Sequence, residues 1–392
     1  MKDLIIMLTK DAFGKFNLPI YGNKYWKTPN IDELASKGTV FNKHYTASPS
    51  TVMSFTSAFF GYFPYTSDNL IYKVEFMNNR GDKSYCDVLY EMGYDCHLII
   101  PDGWKLDKLT KCFGNNVHYH DCVNEQKVGP HFNAHNEPFK YNKEAEETAF
   151  NNIKSAFEGI DTSKKTFIWC HLPHVLMGYT GYGSDVEFFD RIVGYVRERF
   201  GDDSLFISAD HGHSNFSRGN ICYGFHVYDT ETCIPLITPR LQDTAVVNHP
   251  TSNIDIFKIM TERIIPKRDY VISDTAYYGQ PRRMISIVKD NYKYIYVKQT
   301  DTEELYDLDF DPNEEHNIIS THVIDKDRNL NVCISDEYFY PYWERSFEAL
   351  KELREIKNQI YRSASKWYMF KFYMKPYFIK LAFKKIKKKL FR

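Results

Sequence analysis

Chemistry on this chain concentrates where apolar, strand-like runs stop on acids and histidines. The segment Ile207-Ser208-Ala209-Asp210-His211-Gly212 ends such a run on a carboxylate, an imidazole and a glycine. In an open α/β sheet, the carboxyl ends of strands are where ligands and metals collect. A hard carboxylate oxygen beside an imidazole nitrogen suits Zn²⁺, Mn²⁺ or a related divalent ion. The glycine would let the backbone turn so that both side chains face one point. The first apolar run, Leu4-Ile5-Ile6-Met7-Leu8, also leads to an acid, Asp11. Thr51 lies at the start of a helix-like stretch, Ser50–Phe60, where free N–H groups and the helix dipole favour an anion. By itself a threonine there is an ordinary helix cap, and Asp-His-Gly arises by chance. Combined, they describe a cation held by Asp11, Asp210 and His211 that could also coordinate Thr51. Such coordination lowers the pKa of the hydroxyl and activates a weak nucleophile.

Positioning these groups requires several strand ends and one helix start at the same edge of a sheet. Leu4–Leu8 is uniformly apolar, as expected of a parallel strand covered on both faces. Thr28–Gly38 reads as a short helix with Thr28 as N-cap, Pro29 in the first turn and Gly38 at its end. Val40–Tyr45 is strand-like, and Tyr85–Met92, Gly93 and Cys96–Ile100 repeat a helix-to-strand pattern. Glu144–Gly159 is helical, Thr166–Cys170 is another buried strand, and Val186–Phe200 is an amphipathic helix leading to Asp210. This alternation predicts an α/β fold with a mainly parallel sheet sandwiched by helices. Beyond about residue 275 the pattern changes. Met284–Val288 and Tyr292–Val297, joined by Lys289-Asp290-Asn291, read as an antiparallel hairpin in a small C-terminal subdomain. The expected division is a catalytic domain over 1–275, a subdomain over 276–340 and a basic helical tail over 341–392.

Composition narrows the partners. With 43% hydrophobic residues the chain can bury a large core, which excludes a disordered protein. Eight cysteines without CxxC spacing argue against a zinc ribbon or redox motif. The apolar run after Met1 is too short for a signal-peptide core or a membrane span, so the expected location is cytoplasmic. Net charge is −1, yet no Asp or Glu occurs from Asn358 to Arg392. Residues 365–392 interleave aromatics with nine lysines and one arginine. A basic, aromatic helix of that kind fits the headgroup region of an anionic membrane, here the inner face of the cytoplasmic membrane. A helix packed on the protein with a solvated lysine end is the plainer alternative. No nucleic-acid partner is expected, because no recognised binding fold accompanies the charge.

The ordered series Asp11, Tyr21-Gly22, Thr28-Pro-Asn-Ile-Asp-Glu-Leu-Ala35, Gly38-Thr-Val-Phe-Asn42, Tyr45, Ser50-Thr51 and Gly61-Tyr-Phe-Pro64 resembles the sulfatase branch of the alkaline phosphatase superfamily. The match continues through Asp210-His211-Gly212 and Tyr228–Ile237, then Tyr292–Ile295 and Glu304–Asn317. It spans roughly residues 3–317. The departures carry information. Thr51 stands where sulfatases carry the Cys or Ser that becomes formylglycine. Met53 and Phe55 replace the Pro and Arg of the Cys-x-Pro-x-Arg signature. The family's sulfate-contacting Gly-Lys-Trp-His segment is also missing, the region reading Ile100-Pro-Asp-Gly-Trp-Lys105. A threonine nucleophile is instead similar to the phosphoglycerol and phosphoethanolamine transferases and some phosphodiesterases of the superfamily.

The resemblance implies Asp11, Thr51, Asp210 and His211 as ligands of a divalent ion (Zn, Mn, Mg or Ca), with Thr51 as nucleophile. It implies a histidine near Trp169-Cys-His-Leu-Pro-His174 that binds the transferred group or protonates the leaving oxygen; His174 aligns best and His171 assists. Simple packing at a strand end is the alternative for both. Trp104 resembles a pocket aromatic of lipoteichoic acid synthases, and Lys105 lies near that family's arginine. His226 resembles a further transferase histidine; convergence of His171, His174 and His226 would make room for a second ion. Lys105, His213 and Arg218 are expected in exposed loops that could hold anionic substrate. The implied reaction moves a phospho-alcohol group from a phosphate-ester donor to a glycan acceptor, a cell-surface precursor, through phospho-Thr51. The alternatives are hydrolysis by a phosphodiesterase, phosphatase or sulfatase, and an inactive membrane-associated scaffold.

Overall fold

The computed structural model describes residues 3–63, 83–101, 113–122, 143–173, 182–214, 218, 223–275, 284–297, 300–319, 322–325, 330–333 and 340–363. In chain order the strands of the first part are β1 (Leu4–Lys10), β2 (Thr39–Phe41), β3 (His44–Tyr45), β4 (Asp95–Ile100), β5 (His118–Asp121), β6 (Thr166–Leu172), β7 (Leu205–Ala209), β8 (Leu236–Thr238), β9 (Val246–Val247) and β10 (Thr251–Ser252). Eight of them form one sheet in the order β5-β4-β6-β1-β7-β8-β2-β9, while β3 and β10 pair separately. The run from β5 to β7 is parallel throughout; β8 alone lies antiparallel to its neighbours. The region expected as one strand over Val40–Tyr45 is therefore two, β2 and β3, which serve different sheets.

Alternation along β1 divides the core. Ile6 and Leu8 face one layer with Ile168 and Cys170 of β6, covered by helices Pro29–Lys37, Lys143–Glu158 and Tyr182–Phe200. Ile5 and Met7 face the other with Phe167 and Trp169, covered by helices Thr51–Phe60, Tyr85–Glu91 and Ile256–Glu262. Because both faces are covered, β1, β6 and β7 read as apolar runs rather than alternating ones. The first layer buries Phe13, Phe157, Phe188 and Phe189 and the second buries more aromatic side chains still, each contributing roughly 1.5–3 kcal/mol.

A four-stranded antiparallel sheet, β11 (Val271–Asp274), β12 (Met284–Lys289), β13 (Tyr292–Val297) and β14 (Thr302–Asp307), follows in simple meander order. The hairpin between β12 and β13 turns through Asp290, whose φ of 52° is the left-handed conformation that Asp tolerates. Helix Tyr340–Ser363 lays Leu350, Leu353, Ile356 and Ile360 on this sheet. A short hairpin of β15 (His322–Asp325) and β16 (Leu330–Cys333) completes the described strands. No described helix is long and apolar enough to cross a membrane.

Candidate active site

Three neighbouring parallel strands bring the chemistry together. In the β1–β6 register Thr9 lies opposite His171, and in the β1–β7 register Lys10 lies opposite Ala209. One residue further on, Asp11 and Asp210 leave their strands side by side. The two loops are stitched to each other. The N–H groups of Ala12 and His211 donate to Asp210 Oδ1 at 3.0 and 2.7 Å, and Phe13 N donates to the His211 carbonyl at 2.6 Å.

Gly212 is required for a reason other than a turn. A Cβ there would lie 2.1 Å from the Thr230 carbonyl oxygen, so backbone passes against backbone with no space for a side chain. Helix Thr51–Phe60 then presents its first residue to the two loops. Ser50 at the N-cap is extended, Gly61 closes the helix at φ 70°, and Ser54 Oγ donates to the Asp210 carbonyl at 2.6 Å.

Thr51 Oγ1 lies 3.1 Å from His211 Nε2. His211 Nε2 is also 3.3 Å from Asp210 Oδ2 and 3.7 Å from Asp11 Oδ1. The other ring nitrogen, Nδ1, is 2.8 Å from the Gly212 carbonyl, which can only accept, so Nδ1 carries the proton. Burial lowers the His211 pKa and keeps the ring neutral. Its Nε2 lone pair therefore faces two carboxylates and a hydroxyl. Burial also raises the Asp210 carboxyl to about 6, opposed by the Thr51 hydroxyl and the N–H groups of His211 and Ala12. Electron-rich atoms gathered this closely in a buried place fit a divalent cation by their chemistry. Asp11, Asp210, His211 and Thr51 all contribute to that cluster, and Thr51 alone among them is partly open to solvent.

His171 joins the same cluster from within β6. One donor atom each from Asp11, His171 and Asp210 lie within 4.8 Å of one another, and His171 Nε2 is 4.0 Å from Asp210 Oδ2. Its Nδ1 is 2.8 Å from Thr9 Oγ1, which accepts from Trp169 Nε1 at 2.9 Å. Phe55 packs edge-on against the His171 ring at 4.7 Å. The ring is thus held from two sides with Nε2 towards the carboxylates. That orientation suits a cation ligand as well as the proton-transfer role expected of it. Behind the cluster, Lys10 is buried and its Nζ meets Asp185 Oδ2 at 2.6 Å and the Pro173 carbonyl at 2.9 Å.

Arg218 and His226 stand in a neighbouring group. The Arg218 guanidinium stacks 3.8 Å above the Tyr228 ring and donates to the Glu314 carbonyl. His226 is half-buried with its ring 5.5 Å from that of Tyr228, and burial followed by the Arg218 charge lowers its pKa. Arg218 and Phe16 line a cavity of about 620 Å³ whose other walls include Thr230, Asn313 and Glu315. His213, expected in an exposed loop, is buried, with Tyr223 packed against both His213 and His211. Trp104, Lys105, His174 and the basic tail 365–392 lie outside the described residues.

Sequence reasoning passed over four supporting residues: Thr9, Lys10, Tyr223 and Glu231. Glu231 is fully buried beside the loop that carries His211 and His213. Its carboxylate accepts from Ser214 Oγ, from Gly224 N at 2.8 Å and from His226 N at 3.3 Å. The only local signal was slight, since Glu231 shares the first half of Tyr228–Ile237 with Asp229 and two threonines.

The family model described as Sulfatase matches residues 3–232. The fold is similar to that of a 2-O GAG sulfatase, with a TM-score of 0.64 and 14% identity over 93% of this chain and 94% of that one. It is also similar to the phosphonate monoester hydrolase of Agrobacterium radiobacter, with a TM-score of 0.60 and 15% identity over 92% of this chain and 96% of that one. No curated protein matches the sequence.

Proposed function

The chain belongs to the sulfatase family, and from that premise we propose a metal-dependent phosphotransferase that moves a phospho-alcohol group through a phospho-Thr51 intermediate. The observation that carries this reading is the Thr51 hydroxyl, 3.1 Å from the unprotonated Nε2 of His211. Sulfatase chemistry in the family uses a formylglycine made from Cys or Ser, which Thr51 cannot become. The fold's likeness to a phosphonate monoester hydrolase supports phosphorus chemistry alongside sulfate chemistry.

Asp11, Asp210, His211 and Thr51, with His171 at the same cluster, would hold the divalent ion. When bound, it neutralises charge on a phosphoryl oxygen and lowers the pKa of the Thr51 hydroxyl. The chain's own residues do the rest. Thr51 Oγ1 attacks phosphorus in line, and the bond from phosphorus to the leaving alcohol breaks. The hydroxyl proton passes from Oγ1 to solvent as that bond forms, and His174, with His171 assisting from its place beside the ion, supplies a proton to the departing oxygen. An acceptor hydroxyl then attacks the phospho-threonine and gives its proton to that histidine, while the P–Oγ1 bond breaks and Thr51 Oγ1 regains a proton from solvent. Arg218 and His226, with Trp104 and Lys105, are the substrate-binding residues of this reading. The acceptor is a glycan precursor, and residues 365–392 would hold the enzyme at an anionic membrane surface on the cytoplasmic side. Hydrolysis of a phosphodiester differs only in that water replaces the acceptor, so it is the second reading.

Incubation with phosphodiesters and sulfate esters, followed by intact-mass spectrometry, tests this. A mass increase equal to a phospho-alcohol group, absent in Thr51→Ala, is the expected result. Turnover of sulfate esters with no adduct on Thr51 would overturn it.

A further inference from the structure

A second concentration of metal-binding side chains lies at the edge of the main sheet. Strands β4 and β5 pair in parallel with His97 opposite His118 and Ile99 opposite His120. Side chains alternate along a strand, so Asp95 and His97 of β4 and His118 and His120 of β5 share one face. His97 Nε2 lies 3.3 Å from Asp95 Oδ2, and His118 Nε2 lies 3.0 Å from Asp95 Oδ1. The His97 and His118 rings are stacked with centroids 5.1 Å apart. His97 Nδ1 is 2.9 Å from His120 Nε2.

The strand register separates this cluster from the active site. Asp95 lies level with Thr166 and through it with Leu4, and His97 with Ile168 and Ile6. Asp11 is five to seven residues further along β1, roughly 17–23 Å at about 3.3 Å per residue. The active-site residues occupy the carboxyl ends of the parallel strands, whereas Asp95 starts its strand.

Two observations favour a cation over a purely hydrogen-bonded cluster. His97 is only 7% exposed, and its Nε2 is buried with no hydrogen-bond partner. If Nδ1–H donates to His120, Nε2 presents a lone pair to the Asp95 carboxylate, an arrangement that is repulsive until a cation sits between them. Finally, each imidazole–carboxylate contact, 3.3 Å to His97 and 3.0 Å to His118, is close to the roughly 3.4 Å that separates neighbouring ligands of a tetrahedral Zn²⁺ with bonds of about 2.0–2.1 Å.

We propose that Asp95, His97 and His118 form a second, structural site for Zn²⁺ or a similar borderline divalent ion, with His120 orienting the His97 ring. Two imidazoles and one carboxylate suit Zn²⁺, Ni²⁺ or Cu²⁺, whereas Mg²⁺ and Ca²⁺ take oxygen-dominated sets. Asp95 offers a different oxygen to each ring, so binding would require His118, whose side chain is 66% exposed, to rotate towards the oxygen that faces His97. The ion would fasten the edge strand β5 to β4. The proposal is independent of the reaction assigned to the active site.

The test compares the full-length chain with His118→Gln and Asp95→Asn. Each protein is stripped with a chelator, equilibrated with Zn²⁺ alone, desalted and analysed for zinc per chain and for melting temperature. Wild type should retain one equivalent more than either variant and should show a larger zinc-dependent rise in melting temperature. That extra equivalent should be removed again by a second chelator treatment. Circular dichroism identifies a variant that fails to fold, and the other then decides. Zinc content and zinc-dependent melting equal to wild type in the folded variants would overturn the site.

Discussion

Thr51 Oγ1 and His211 Nε2 are 3.1 Å apart, and the opposite nitrogen of the same ring is tied to the Gly212 carbonyl at 2.8 Å. One hydrogen bond thereby sets the tautomer that lets the other nitrogen accept from the nucleophile. Thr51→Ala removes the hydroxyl and should lower turnover on the order of 10³-fold or more while leaving the fold intact. Thr51→Ser restores an oxygen at the same helix position and should recover part of the activity. Initial rates on the substrate identified by the mass-spectrometric screen check both; a Thr51→Ala enzyme within tenfold of wild type would remove threonine from the mechanism.

Thr9 acts at one remove from the same cluster. Its hydroxyl bridges Trp169 Nε1 and His171 Nδ1, at 2.9 and 2.8 Å. Partners of this kind orient ligand rings, and removing them costs about 10–100-fold in metal affinity or activity. Thr9→Val keeps the shape and deletes the hydrogen bonds. Its expected signature is weaker retention of the active-site ion in chelator competition, with turnover restored by excess metal. Unchanged metal affinity in Thr9→Val would leave His171 outside the ligand set.

Much of this arrangement was legible before any coordinates, and the reasons differ by residue. Asp11, Asp210 and His211 each follow a uniformly apolar run, and the parallel sheet those runs imply puts their ends on one edge. Thr51 was legible from its distance to Gly61, which ends the same helix. His171 was harder, since it lies inside β6, where every residue is buried and the pattern does not reveal which face it takes. Gly212 was read as a turn residue, whereas the close Thr230 carbonyl excludes a side chain, a contact between segments that local sequence does not encode. His213 was expected in solvent because polar neighbours surround it; Tyr223 covers it instead. The edge cluster of Asp95, His97, His118 and His120 depends on strand pairing across more than twenty residues and left no local signal.

Glu231 makes the loop beside the active site sensitive to pH. Burial pushes its carboxyl up to about 7, against the opposing pull of the Ser214 hydroxyl and the N–H groups of His226 and Gly224. The group is neutral in the unfolded chain only below about 4.5 but in the folded protein up to about 7, so the folded state binds the extra proton between those values. Stability should therefore fall as pH rises from about 4.5 to 7, by about 3 kcal/mol from this group. Glu231→Gln keeps most of the hydrogen bonds without the ionisation. The difference between wild-type and Glu231→Gln unfolding free energies, measured by denaturant from pH 5 to 8, should change across that window; a constant difference refutes the assignment.

Lys10 and Asp185 form a buried ion pair directly behind the active-site loops, at 2.6 Å with side-chain exposures of 1% and 3%. Such a pair adds little by its presence, because desolvation of both charges offsets their attraction. Removing one partner is a different matter, since the remaining charge stays buried. Lys10→Met should cost about 3–5 kcal/mol, as Asp185 loses its ammonium and the Pro173 carbonyl loses its donor. The double variant Lys10→Met/Asp185→Leu takes out both charges and should recover more than half of that loss. Chemical denaturation of the three proteins measures the coupling directly. Additive losses would mean that the two side chains act independently, and that Lys10 fixes the end of β1 through the Pro173 carbonyl rather than through its charge.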